Sequence, residues 1–230
     1  METWWLDELQ HAGPEHLDPV YVSGYDAKAQ VDPRPDIDTL VRFGLDASSR
    51  VIDLGAGTGT FAFAVAPLCQ RVTAVDVSPV MTAMLREHVA EAGIPNVDVV
   101  DGGFLSYEHV GPLFDFVYSR NALHHLPDFW KGVALSRVAA LLNEGGVLQL
   151  LDLVFDFEPG EAEERIPAWM SGGVADSSRG WTPAELAEHV RCEYSTYSWL
   201  LDIMLDHAGF DVVERSFVRG AYGTYTCRRR

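Results

Sequence analysis

A short, mostly apolar run that passes without a break into alternating glycines constrains this chain more than any other stretch. Arg50–Leu54 reads as a buried β-strand, Gly55, Gly57 and Gly59 follow at every second position, and Thr60–Leu68 has the pattern of a helix. Glycine lets a backbone approach a ligand closely and adopt positive φ. The helix that follows turns its free N–H groups toward whatever lies beyond the strand. Further units repeat the theme. Strands are expected over Arg71–Val75, Val97–Val100, Phe114–Tyr118 and Val147–Val154. Helices are expected over Pro79–Ala92, with Ser78 as N-cap and Gly93 as its stop, and over Asp128–Leu142. Strands separated by helical patterns of this length imply βαβ units and a mostly parallel sheet.

The two ends differ from this middle. Residues 1–46 are rich in Pro, Asp and aromatics, with one short helix expected near Thr3–His11. After Val154 come an acidic stretch with helices over Phe157–Met170 and Pro183–Arg191, then a helix over Tyr197–Ala208. Asp211–Arg219 and Tyr222–Arg228 follow around Gly220, close enough to form an antiparallel hairpin. The expected fold is α/β: a doubly wound, mostly parallel seven-stranded sheet finished by an antiparallel hairpin. It would be one domain over 1–230, with a cap at 1–46, a ligand-binding core at 47–154, a lid insertion at 155–195, and a final helix and hairpin at 196–230.

Two ligand classes suit the glycine loop. A dinucleotide asks for G-x-G-x-x-G with a pyrophosphate on the helix N-terminus. Here the spacing is G-x-G-x-G, with Thr60 where the third spaced small residue would stand. Alternate glycines make a wider, flatter loop, suited to a nucleoside that carries an amino-acid tail and no phosphate. Asp53 agrees, because a carboxylate just before the loop repels a pyrophosphate but attracts an ammonium or sulfonium. Asp76, at the end of the second strand, has two acceptor oxygens for ribose 2′- and 3′-hydroxyls.

Charge and cysteines narrow the field. The chain has 34 Asp+Glu against 17 Lys+Arg, a net charge of -17, which opposes nucleic-acid binding. No apolar run of membrane-spanning length occurs, and the acidic start does not resemble a leader peptide. Cys69, Cys192 and Cys227 lie far apart, which suits a cytoplasmic protein rather than a disulfide framework. No metal-binding motif is found, so no metal is expected.

Several motifs in order complete the picture: Asp53-x-Gly-x-Gly-Thr-Gly, Asp76-Val-Ser-Pro-x-Met81, Phe114-Asp-Phe-Val, Asn121-Ala-Leu-His-His-Leu and Leu142-Asn-Glu-Gly-Gly. Together they resemble the Rossmann-like class I S-adenosylmethionine-dependent methyltransferases, in the small-molecule branch called type 11 or 25. The likeness covers about residues 48–154, and the pattern at 197–228 fits the family's final helix and hairpin. The resemblance implies S-adenosylmethionine as cofactor and S-adenosylhomocysteine as product. It implies that Asp53 and the backbone of Gly55, Ala56, Gly57, Thr58 and Gly59 hold the methionine tail. Asp76 would bind ribose, Val77 and Met81 would flank adenine, and the Asn121 carbonyl would meet the amine of the tail. Many relatives carry an Asp after the third strand that binds the adenine amine. Gly103 stands at that position here. Either Asp101 substitutes from a shifted turn, or the Phe104 backbone and stacking hold the base.

Methyl transfer from a sulfonium is an in-line displacement whose main demands are alignment and exclusion of water. A base is needed only when the nucleophile arrives protonated. The candidates are His124 and His125, expected at the carboxyl edge of the sheet, and Glu193. The segments free to cover the site are acidic and carry aromatics: residues 1–49 hold ten Asp/Glu against three Lys/Arg. Tyr21 and Tyr25 are the expected N-terminal lid contacts, and the tryptophans are expected to anchor helices. The predicted reaction is methylation of O or N on a small-molecule acceptor, by a monomer or homodimer that uses no nucleic acid and no membrane. The alternatives are a protein that binds the donor without turnover and an NAD-dependent oxidoreductase.

Overall fold

The computed structural model describes residues 3–230, so Met1 and Glu2 of the expected cap lie outside the described residues. Seven strands form one continuous ladder: β1 (Arg50–Leu54), β2 (Arg71–Asp76), β3 (Val97–Asp101), β4 (Phe114–Arg120), β5 (Leu142–Phe155), β7 (Phe210–Val218) and β8 (Tyr222–Arg229). A two-residue strand, β6 (Thr196–Tyr197), adds to the end of β5 and was not expected. The spatial order is β3-β2-β1-β4-β5-β8-β7. The first five run parallel, and β8 and β7 close the edge antiparallel.

Strand alternation divides the core between the two faces of the sheet. Ile52 and Leu54 of β1 pack on one face, with α6 (Asp128–Leu141) and α9 (Ser198–His207). Val51 packs on the other, with α3 (Arg34–Arg42), α4 (Thr60–Val65) and Leu85 of α5 (Pro79–Ala92). Burying the middle strands on both faces explains why they read as continuous apolar runs. α5 begins and ends as its sequence dictates: the Ser78 hydroxyl accepts the Met81 N–H at 3.2 Å, and Gly93 closes the helix at φ +62°.

The ends depart most from expectation. Only Glu8–His11 of the expected first helix is helical, as a 3-10 turn. Pro14–Leu17 forms a second such turn, and α1 (Pro19–Ser23), α2 (Tyr25–Ala29) and α3 follow in quick succession. Pro14, Pro19 and Pro35 are first-turn residues of these elements, where a missing N–H costs nothing. In the insertion, α7 (Ala162–Met170) starts five residues later than predicted, and α8 (Pro183–Cys192) follows. Trp169 and Leu186 from these helices pack on Phe155 in a small core of their own. Among the described residues no helix is long and apolar enough to cross a membrane.

Candidate active site

β1 and β4 are neighbours, yet the helices after them cover opposite faces of the sheet. Their carboxyl ends therefore flank a crevice, the usual ligand position in an open α/β sheet. A cleft enclosing about 660 Å³, open mouth included, lies there. Its floor is Gly55, Gly57, Asp76, Asn121 and Ala122, and its roof comes from the N-terminal segment.

The three glycines of the loop have different reasons to be glycine. All take positive φ: +78° at Gly55, +55° at Gly57 and +96° at Gly59. A Cβ on Gly55 would stand 2.4 Å from the Ala122 methyl, and one on Gly59 would stand 2.2 Å from Leu85 Cδ1. Those two glycines let β1, β4, α4 and α5 pack. A Cβ on Gly57 meets nothing within 4 Å. Gly57 alone of the three is bare toward the cleft, and its N–H donates to Asp76 Oδ2 at 2.8 Å. The Ser78 N–H donates to the other oxygen, Oδ1, at 2.8 Å. Each Asp76 oxygen keeps lone pairs for a further donor. Burial raises the Asp76 pKa, and the two N–H bonds offset this only in part.

Asp53 is 2% exposed, one layer beneath the loop. Burial, then the Asp76 charge, lifts its pKa well above the carboxylate range. A cation above the loop would reverse that. Arg120, at the end of β4, brings a fixed positive charge to the cleft wall. Its guanidinium donates to Asp36 of α3 at 2.8 Å, and the Tyr118 hydroxyl donates to the same oxygen at 2.7 Å. Asn121 follows at φ +51°, a left-handed turn that Asn tolerates better than most residues.

The two histidines divide. His125 lines the cleft, and His124 does not. Burial, then the charge on His124, holds the His125 pKa well below the usual value, so its ring is neutral. His124 is 5% exposed and lies between two carboxylates: Nδ1 meets Asp152 of β5, and Nε2 lies 3.0 Å from Glu193. Burial opposes the charge, but Asp152 and then Glu193 outweigh it and raise the His124 pKa to about 9. Glu193 also lies 2.7 Å from Nδ1 of His189 on α8, whose Nε2 meets Ser195 Oγ at 2.7 Å. Burial would raise the Glu193 pKa, yet His124 and His189 bring it far below the usual range. Glu193, one of the candidate bases, stands at the centre of a histidine cluster and does not line the cleft. His124, His125 and Glu193 have the mutual spacing of metal ligands, within 4.8 Å, although nothing in the sequence spacing suggested it. One oxygen of the carboxylate lies within ion-pair distance of both His124 and His189.

Comparison with known proteins fits this architecture. Residues 51–146 match a family model described as a methyltransferase domain. This match, with relatives and solved structures that are methyltransferases, supports a class I S-adenosylmethionine-dependent methyltransferase. An uncharacterised methyltransferase of Bacillus cereus is 28% identical over 162 residues, 70% of this chain and 69% of the relative. The methyltransferase YcgJ of Bacillus subtilis is 34% identical over 106 residues, 46% of this chain and 41% of that one. Among solved structures, phosphoethanolamine N-methyltransferase 2 of Haemonchus contortus shares the fold at TM-score 0.71 and 16% identity. The alignment covers 98% of this chain and 60% of that one. These similarities favour the nucleoside reading of the glycine loop over the dinucleotide one.

In this methyltransferase the residues predicted from sequence fall into two groups. Tyr25, Gly55, Gly57, Asp76, Val77, Met81, Gly103, Phe104, Asn121 and His125 all line the cleft. Asp53, Ala56, Thr58, Gly59, His124 and Glu193 stand behind it. Thr58 is 4% exposed, and its hydroxyl donates to Asp26 of α2. Asp101 does not line the cleft; it accepts from Thr82 at 2.6 Å and Arg86 at 2.9 Å. Of the two expected lid tyrosines, Tyr25 reaches the cleft and Tyr21 does not line it. The tryptophans divide: Trp5 packs on Trp130 with ring centroids 5.2 Å apart and Trp169 is buried, whereas Trp4, Trp181 and Trp199 are exposed. Sequence reasoning missed Glu8, His16 and Arg120 in the lining. Arg120 had a legible signal, its place directly before Asn121. The other two had none, since nothing local ties residues 8 and 16 to the sheet edge.

Proposed function

We propose that the cleft holds S-adenosylmethionine and that the enzyme transfers its methyl group to O or N of a small acceptor. The observation that carries this reading is the Asp76 carboxylate, fixed by two backbone N–H bonds beside the bare face of Gly57. Read along the sheet edge, the methionine tail would lie over β1 and β4, within reach of Gly55 and the Asn121 carbonyl, with Asp53 beneath its ammonium. The ribose would meet Asp76. The adenine would continue toward β3, between Val77 and Met81 on one side and Phe104 on the other.

The bound donor supplies an activated methyl group. The chain's own residues align the partners and keep water out. His125 is the one candidate base that combines a neutral ring with a place on the cleft wall. It would take the proton of a hydroxyl or ammonium acceptor. His124 already carries its proton and would orient its neighbour. No metal is assigned to this cluster: a cation there would have to displace that proton and break the Glu193 contacts. The acceptor would enter between the N-terminal cap and α7–α8. The acidic excess of both segments favours a neutral or cationic molecule over a phosphorylated one. The absence of a basic stripe in the sequence and the three free cysteines support a cytoplasmic enzyme with no nucleic-acid partner.

Calorimetric titration with S-adenosylhomocysteine and, separately, with NAD tests the reading. Micromolar binding of the first by the wild type, weakened at least 30-fold in Asp76→Ala, is expected. Binding of NAD alone would overturn it.

A further inference from the structure

The position after β3 where an acid was expected is Gly103, and the space its side chain would fill is already occupied. A Cβ built on Gly103 would lie 2.6 Å from Glu8 Oε1 and 2.9 Å from Oε2. Glu8 belongs to the first 3-10 turn of the N-terminal cap, 95 positions away in sequence. Its carboxylate has been brought into the loop after β3 and is 7% exposed. Oε2 accepts the Leu105 N–H at 2.9 Å and the Ser106 hydroxyl at 2.7 Å. Oε1 stands against Gly103, and both residues line the cleft. Ionised carboxylates offer about four acceptor sites, of which Oε2 uses two.

The rest of that loop is rigidly tied. The Gly102 N–H donates to the Asp76 carbonyl at 3.0 Å, so the loop begins beside the carboxylate assigned to ribose. Arg137 of α6 donates to the carbonyls of Phe104 at 3.0 Å and Tyr107 at 2.7 Å. A base that leaves the ribose at Asp76 toward β3 meets this loop next, and Glu8 is the carboxylate there. Resting on the cofactor reading above, we infer that Glu8 accepts a hydrogen bond from the exocyclic amine of adenine. The cap, and not the sheet edge, then reads the base. Gly103 is glycine because a side chain there would expel Glu8. Binding of the cofactor is thereby coupled to docking of the N-terminal segment.

The test compares S-adenosylhomocysteine with S-inosylhomocysteine, which carries a 6-oxo group in place of the amine. Calorimetry on the full chain is expected to give at least tenfold tighter binding of the adenosyl ligand by the wild type. In Glu8→Gln the Leu105 N–H and Ser106 hydroxyl require the amide oxygen at the Oε2 position. The amide NH₂ then faces the base, which should abolish or reverse the preference. A purely structural role would weaken both ligands alike and leave their ratio unchanged. The double variant Glu8→Ala/Gly103→Asp should recover the adenosyl preference, with thermal melts establishing that each variant is folded. An unchanged ratio in folded Glu8→Gln overturns the inference and leaves the cofactor reading intact. Failure of S-adenosylhomocysteine to bind the wild type overturns both.

Discussion

The cofactor side of the cleft and the cap side are built by opposite strategies. On the cofactor side, Gly55, Gly57, Asp76 and Asn121 sit at strand ends within one segment of the chain, and their groups are backbone amides and carbonyls with one carboxylate. On the cap side, polar groups arrive from distant parts of the sequence and meet as buried charges. Glu8 enters the loop after β3, Lys28 of α2 reaches Glu185 of α8 at 2.6 Å, and Glu193 gathers His124 and His189. The difference teaches where specificity resides. Backbone groups at strand ends are supplied by the fold and suit a cofactor common to many enzymes. Side chains assembled over long sequence distances are free to vary, at the acceptor and, through Glu8, at the base of the cofactor.

The largest expected effect lies where the two sides meet. His125→Asn should lower kcat by 10²–10⁴-fold with the affinity for S-adenosylhomocysteine changed less than threefold. Equal losses in both would mean that His125 serves the cofactor side, and the comparison would break. Next come two glycines of one loop. Gly57→Ala should keep the melting temperature within a few degrees, since an alanine at this φ costs about 1 kcal/mol, and should weaken S-adenosylhomocysteine at least tenfold. Gly59→Ala, driven into Leu85 and Phe63, should lower the melting temperature far more.

The buried ion cluster makes a pH prediction. The His124 pKa is about 9 in the fold against an ordinary value of 6.5. Its contribution to stability is therefore complete below pH 6.5 and is lost as pH rises through 9, on the order of 1–3 kcal/mol. His125 has the opposite sign, because its pKa is depressed: its contribution is lost as pH falls below 6.5. Denaturant titrations from pH 6 to 10 should show declining stability, with a flatter slope in Glu193→Gln. A slope unchanged in that variant would sink the assignment of Glu193. The smallest effect should come from Lys28→Met, which opens the clasp between cap and insertion. Acceptor KM is expected to rise a few-fold while kcat and melting temperature hold, a split visible in steady-state kinetics.

Much of the cofactor side was legible in the sequence because its rules are local. Ser78, Pro79 and Gly93 delimit α5 through capping and positive φ, and the strand before Gly55 needed only its apolar run. The strand ends Asp76 and Asn121 could be located from the strands themselves. The cap was not legible in the same way. Its short helices have too few turns for a periodic pattern, and their prolines read equally well as loops.

The sequence by itself determined the alternating order of strands and helices and the residues at the strand ends, since each follows from periodicity, caps and turn chemistry within a few positions. Only the tertiary structure decided which histidine faces the cleft, which loop glycine is bare, and which carboxylate stands at Gly103. Those outcomes depend on burial and on groups that meet across 95 residues between Glu8 and Gly103, or 69 between His124 and Glu193. Desolvation and Coulomb energy act through space, and no spacing along the chain encodes them.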